Sequence, residues 1–182
     1  MKTPLVIWLL CDGKPGHENQ SLGLADALAR QLPCEVHHIS LAGKRGLVHR
    51  VKSALADSRN FPKPDLIIAA GHATHPALFW LARKHRARSI VLMKPSLPMS
   101  WFDLCIAPSH DFPKPPQTKN LLISRGALNR VAPVSGEKSG QLILIGGPSA
   151  NHGWDGGKLL AALSEITASG RWQLTDSRRT PV

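Results

Sequence analysis

A doubly wound, Rossmann-like parallel α/β sheet, followed by an incomplete second unit of the same kind, is predicted by three observations. Short continuous apolar runs alternate with longer segments of helical period, in a βαβα order that places helices on both faces of a parallel sheet. Runs such as LVIWLLC and DLIIAA are apolar throughout, as expected of strands covered on both sides. The chain has 182 residues, 42% hydrophobic and 19% charged, long enough to bury a core and unlike a disordered or coiled-coil composition.

The elements follow in order. Leu5–Cys11 reads as the first strand. Residues 21–31 carry Leu22, Leu24, Ala25, Leu28 and Ala29 at helical spacing, and Pro33 stops that helix. Residues 35–39 form a second strand. Residues 44–56 form a basic helix with Leu47, Val48, Val51 and Leu55 on one side, expected to pack on the sheet. After a breaker at 60–64, residues 65–70 are the third strand. The helix 76–85 carries Leu78, Phe79 and Leu81, with Pro76 suited to its first turn. Strands are expected at 89–93, 104–107 and 120–124. The domain division is predicted as 1–131, a linker over 132–140, and 141–182 as the start of a second domain. That second part has strands at 141–145 and 171–174 around a helix at 158–169. Two strands and one helix do not close a doubly wound domain, so exposed strand edges and self-association are expected.

The charge balance is strongly basic: 23 Lys and Arg against 12 Asp and Glu, a net +11 with histidine neutral. This excess favours anionic partners. Nucleic acid is the least favoured of them, since no aromatic-interleaved platform accompanies the charge and tyrosine is absent. Two basic clusters, Lys44, Arg45, Arg50, Lys52 and Arg59, then Arg83, Lys84, Arg86 and Arg88, fit an anionic membrane surface, each basic residue near it contributing about 1 kcal/mol. The plain alternative is a set of solvated charges. No apolar run approaches the ~20 residues of a membrane-crossing helix. Cys11, Cys34 and Cys105 are odd in number and form no CxxC pair, so they read as reduced, mostly core cysteines. The start, MKTPLVIWLLC, lacks a small-residue cleavage site. A cytoplasmic protein is expected, peripheral on the inner face of the membrane.

In doubly wound sheets ligands bind at the carboxyl ends of strands, which directs attention to the loops after Cys11, Ala70, Met93 and Ala107. DGKPGHENQ at 12–20 places Asp12, Gly13, Lys14, Gly16, His17, Asn19 and Gln20 between a strand and a helix, where free N–H groups and the helix dipole attract phosphate or carboxylate. It matches neither dinucleotide nor P-loop fingerprint, and an ordinary capped turn is the alternative. GHATHP at 71–76 holds His72, Thr74 and His75. Three readings stand for it: helix capping, metal binding with His110 and Asp111, or contact with an anionic substrate. MKPSLP stiffens the chain around Lys94 with Pro95 and Pro98. The contiguous triplet Ser109–Asp111 is set aside as a hydrolase triad. IGGPSANHGWD places Gly146, Gly147, Ser149, Asn151 and His152 after a strand, a candidate phosphate or ribose cradle.

Taken together, DGKPGHENQSLGLA, DLIIAAGHATH, LMKPSLP, FDLCIAPSHD, RGALNR, LIGGPSANHGWD and SRRTP resemble the bacterial proteins related to the plant elongated-mitochondria, or mitochondrial fission, protein. The resemblance runs along nearly the whole chain, in order. It implies a GT-B-type glycosyltransferase architecture of two Rossmann-like halves, of which this chain holds the first and the start of the second. It implies an anionic, lipid-linked or membrane-associated acceptor in the first half and a nucleotide-sugar donor in the second, with no cofactor and no metal. His17 or Asp12 would then be the general base. Gly13, Lys14, Gly16, Asn19, Gln20, His72, Thr74, His75 and Lys94 would bind acceptor or phosphate. Gly146, Gly147, Ser149, His152, Ser177, Arg178, Arg179 and Thr180 would meet the donor. Family members continue well beyond SRRTP, so the chain is expected to be truncated in the donor half. The alternatives are a non-catalytic membrane-associated interaction protein, a nucleotide-sugar-modifying enzyme of epimerase type, or a metal-dependent hydrolase using His72, His75 and His110.

Overall fold

The computed structural model describes residues 3–132, 135–137, 139–148, 153–177 and 180–181. The chain divides into two units, Met1–Ala132 and Pro133–Val182. In the first, six strands form one sheet in which every neighbouring pair is parallel: β1 (Leu5–Cys11), β2 (Cys34–Ser40), β3 (Leu66–Ala70), β4 (Arg88–Leu92), β5 (Leu104–Pro108) and β6 (Leu121–Ser124). Their order is β2-β1-β3-β4-β5-β6. The chain thus steps outward from β1 to β2, then crosses back to the other side of β1, and the crevice between β1 and β3 is the topological switch point.

The continuous apolar runs are explained by helices on both faces. Within each strand successive side chains alternate, so Trp8, Leu10, Ile67, Ala69 and Val91 pack toward α2 (Leu47–Asp57) and α3 (His75–His85). Ile7, Leu9, Ile68, Ala70 and Leu92 pack toward α1 (Pro15–Ala29). Each of the larger aliphatic side chains among them, fully buried, contributes roughly 1.5–3 kcal/mol of transfer free energy, and the two alanines less than about 1 kcal/mol each. α1 also packs closely on the segment 127–130. A Cβ at Gly23 would lie 2.2 Å from the Asn129 carbonyl oxygen, so only glycine permits this approach. The Arg130 guanidinium fastens the segment to Asp26 at 2.9 Å.

Several boundaries differ from the sequence expectation. α1 begins at Pro15, not at residue 21. Proline presets the helical φ, and its missing N–H is one that a first turn leaves unpaired anyway. Glu18 then reaches back to accept the Gly13 N–H at 3.1 Å. His17, Asn19 and Gln20 are therefore helical residues rather than loop residues. α2 begins at Leu47 because Gly46, at φ +78°, is outside the helical region, which leaves Lys44 and Arg45 ahead of the helix. Of its four apolar residues, Val51 and Leu55 pack against the core, but Leu47 and Val48 are exposed. β4 stops at Leu92, since Met93 adopts φ +73°. The three cysteines are free thiols. Burial pushes Cys105 up to about 11, and burial with the nearby Glu18 and Asp12 does the same for Cys11, so both behave as small hydrophobes.

The second unit comprises β7 (Gln141–Leu144), α4 (Gly156–Ile166) and β8 (Trp172–Thr175), with β7 and β8 parallel. α4 starts two residues earlier than expected because Asp155 caps it, accepting the Lys158 N–H at 3.0 Å. Among the described residues, no helix is long and apolar enough to cross a membrane.

Candidate functional site

The site is built at the switch point by the turn after β1 and the turn after β3. Asp12 ends the β1 run, and its side chain is only 4% exposed. Its Oδ1 accepts the Lys14 N–H at 3.1 Å, which closes the turn into α1. Its Oδ2 accepts Nδ1–H of His17 at 2.8 Å. A carboxylate offers only acceptors, so this bond selects the tautomer in which Nε2 keeps its lone pair. His17 reaches back because α1 starts at Pro15 and carries it in the first turn. The pair has the geometry of a base held in place by an orienting carboxylate.

Gly71, the residue after β3, forms the opposite wall. Its φ is +90°, and a Cβ there would lie 2.2 Å from His17 Nδ1 and 2.9 Å from Asp12 Oδ2. The backbone of the second turn therefore lies directly on the Asp12–His17 pair. Sequence reasoning did not single out Gly71. A glycine immediately following a buried apolar strand is the signal that could have found it.

The GHATHP residues separate in role. Thr74 occupies the N-cap position of α3 and His75 its first turn, with no side-chain capping bond, so neither histidine caps the helix. Thr74 donates its hydroxyl to the Gly71 carbonyl at 2.7 Å and is fully buried, which ties the start of α3 to the wall of the site. His72 is exposed, and its ring lies 5.5 Å from that of His75. His75 is fully buried. The Ser96 N–H donates to His75 Nδ1 at 3.2 Å, with Ser96 Oγ at 3.1 Å, so in the neutral ring Nε2 carries the proton. That Nε2 is buried without a partner among the described residues.

Burial first, then the nearby His72 and His17, lowers the His75 pKa to about 4. An unfolded histidine titrates near 6.5, so between pH ~6.5 and ~4 the unfolded chain binds a proton that the native state refuses. Stability is therefore full above about pH 6.5 and falls as the pH drops toward 4, by at most about 3 kcal/mol. His85 is shifted in the same direction by burial and neighbouring lysines. Urea midpoints compared at about pH 7.5 and about pH 4.5 should show a smaller acid loss for His75→Asn than for the parent. Equal losses would assign the effect elsewhere.

The Lys94 loop is held from the turn that follows β5. Met93 turns the chain with its left-handed backbone, and Asp111 Oδ2 accepts the Lys94 N–H at 2.9 Å. The Lys94 ammonium lies 5.3 Å from the Phe112 ring centroid. His110 is 3.7 Å from Asp111. Among the described residues no three His, Cys, Asp or Glu side chains come together as metal ligands, so His72, His75 and His110 are not assembled into such a set. Gly13, at φ +83°, makes the turn against Ala42. Lys14, Gly16 and Asn19 are exposed and Gln20 is buried.

In the second unit, the Thr180 hydroxyl donates to the Gly146 carbonyl at 3.0 Å, and Thr180 Oγ1 accepts the Ser177 N–H at 3.0 Å. The loops after β7 and β8 are thereby drawn together beside Gly146 and Gly147. Ser149, His152, Arg178 and Arg179 lie outside the described residues.

The fold and the site define a parallel α/β protein with an Asp–His pair at its switch point. The family model described as Mitochondrial fission ELM1 matches residues 15–182, and the chain belongs to that family. It is 30% identical over 114 residues to the uncharacterized protein RP120 of Rickettsia prowazekii (strain Madrid E), an alignment covering 58% of this chain. The chain spans about a third (32%) of that relative's length. Among solved structures it is similar to MurG of Acinetobacter baumannii, with a TM-score of 0.49 and 13% identity over 79% of this chain and 53% of that one. A galactofuranose binding protein is also similar, with a TM-score of 0.38 and 13% identity over 57% and 36% of the two chains.

Proposed function

We propose that this protein takes part in glycosyl transfer from a nucleotide-sugar donor to an anionic, lipid-linked or membrane-associated acceptor. The observation that carries the reading is the Asp12–His17 pair at the carboxyl ends of β1 and β3, where doubly wound sheets hold their ligands. His17 Nε2 takes the proton of an acceptor hydroxyl as that oxygen bonds to the anomeric carbon of the sugar. The bond from that carbon to the diphosphate breaks, and the diphosphate leaves with the electron pair. Asp12 holds the ring and offsets its positive charge while it carries the proton. Gly13, Gly16 and Lys14 border the acceptor, with His72 and Lys94 on the neighbouring turns. Gly146, Gly147, Thr180 and the SRRTP arginines receive the donor, whose departing charge is stabilised by backbone N–H groups and arginine.

Calorimetry with a panel of uridine-, guanosine- and thymidine-diphosphate sugars tests this, on the 182-residue chain and on the same chain extended with the carboxy-terminal part of the Rickettsia protein. The extended chain is expected to bind at least one donor more tightly than the short one. No binding by either removes the transferase reading. A second reading, a non-catalytic membrane-associated interaction protein, is favoured by the exposed apolar residues Leu47, Val48 and Trp80 among basic ones. It predicts membrane binding with no response to nucleotide sugar.

A further inference from the structure

We propose that the outer face of α2 and α3 docks on an anionic lipid bilayer, with Leu47, Val48 and Trp80 entering the interfacial layer and Lys52 and Lys84 meeting the headgroups. This deepens the membrane part of the reading above, and it stands on different residues from the Asp12–His17 pair.

The apolar half of the argument is exposure. Leu47 is 48% exposed, Val48 65% and Trp80 55%, although α2 and α3 each bury their other sides in the core. With Val51 and Lys52 these residues line one shallow apolar cleft of about 330 Å³ between the two helices. Trp101, 43% exposed, extends the strip through its ring contact with Phe79 at 4.7 Å. Tryptophan, with an apolar body and one polar N–H, is the side chain that favours a boundary between water and acyl chains.

The charged half is the composition of the rim. Between Glu35 and Asp57 the chain has no carboxylate, and between Asp65 and Asp103 it has none either. Those two stretches contain the whole of α3 and all of α2 but its last residue, with Lys44, Arg45, Arg50, Lys52, Arg83 and Lys84. Among the described residues none of these six takes part in an ion pair, whereas Arg88 and Arg130 on other surfaces do. Arg83 and Lys84 follow Trp80 by three and four positions, so all three share one side of α3. An apolar strip with an unneutralised basic rim fits a surface that is apolar inside and anionic outside. It does not fit a second copy of itself, because a two-fold contact would set the same lysines and arginines against each other.

The face is also well placed. α2 starts at the carboxyl end of the sheet, and Ala42, five residues before it, touches Gly13 in the turn beside Asp12. Leu47 and Val48, in the first turn of α2, are therefore at the same end of the sheet as the candidate site, the end an acceptor resident in the bilayer would approach.

The test is co-sedimentation of the full chain with vesicles of phosphatidylcholine alone or mixed with phosphatidylglycerol, at low and high salt, without nucleotide sugar. It can therefore fail independently of the donor-binding experiment. Binding is expected only with phosphatidylglycerol and should weaken with salt. The exposed double substitution Lys52→Glu with Lys84→Glu should lower it roughly tenfold or more. Trp80→Ser should weaken it as well, and chain-brominated lipids should quench the parent's fluorescence more than that of Trp80→Phe. Equal binding to neutral vesicles, or undiminished binding by the double variant, overturns the proposal. So does a dimer that Trp80→Ser dissolves, or uptake of an oligonucleotide through Lys52 and Lys84 with vesicles ignored.

Discussion

Gly71→Ala is expected to destabilise the protein by roughly 3 kcal/mol, more than any other single alanine replacement of a positively twisted glycine. Two costs combine. At φ +90° an L-side chain is strained by about 1–2 kcal/mol. The new methyl would also fall 2.2 Å from His17 Nδ1, so the imidazole must leave Asp12. Breaking that bond strands a buried carboxylate, at about 1–3 kcal/mol. Gly43→Ala supplies the control: its φ is +69°, yet nothing lies within 4 Å of the added carbon, so only the backbone cost of about 1 kcal/mol remains. Urea denaturation of the two variants beside the parent measures the difference. Equal midpoints for both would mean that the turn after β3 does not press on the pair.

The other large effect is on turnover. If His17 Nε2 is the base, His17→Ala in the donor-binding form should lower the transfer rate by about 10²–10⁴-fold, the usual contribution of a positioned base. KM for the acceptor should change much less, because the lost interaction forms only as the proton moves. Asp12→Asn is the sharper probe. An amide can present its NH₂ to Nδ1 and so stabilise the wrong tautomer, leaving Nε2 protonated and unable to accept. A large loss of rate with little loss of stability is expected. Normal turnover by His17→Ala removes the base assignment, and normal turnover by Asp12→Asn removes the orienting role.

The strands were legible because burial on both faces demands continuous apolar sequence. LVIWLLC and DLIIAA contain no charged residue after their first position, and no surface strand needs such a run. The start of α1 was not legible. Proline and glycine at positions 15 and 16 punctuate loops as often as they open helices, and only the structure shows that Pro15 is helical. The same ambiguity hid the reach of His17 back to Asp12. Both residues were identifiable as polar groups at a strand end, but a 2.8 Å bond between them depends on where the helix begins. Ser96, which fixes the ring of His75, was hidden more completely, since it lies 21 residues away on another turn.

The sequence by itself determined a parallel α/β chain and its family, and it offered the loops after four strands, with the glycine-rich loop of the second unit, as candidate regions without choosing among them. These are local or compositional properties, carried by apolar runs, glycines and basic residues in order. Tertiary structure alone decided that β1 and β3 are neighbours and that Gly71 lies against His17. It also decided that Leu47 and Val48 stay exposed while Val51 and Leu55 are buried. Each of those outcomes depends on strand order and helix rotation, which are set by how distant surfaces fill space against one another and not by the residues that carry the chemistry.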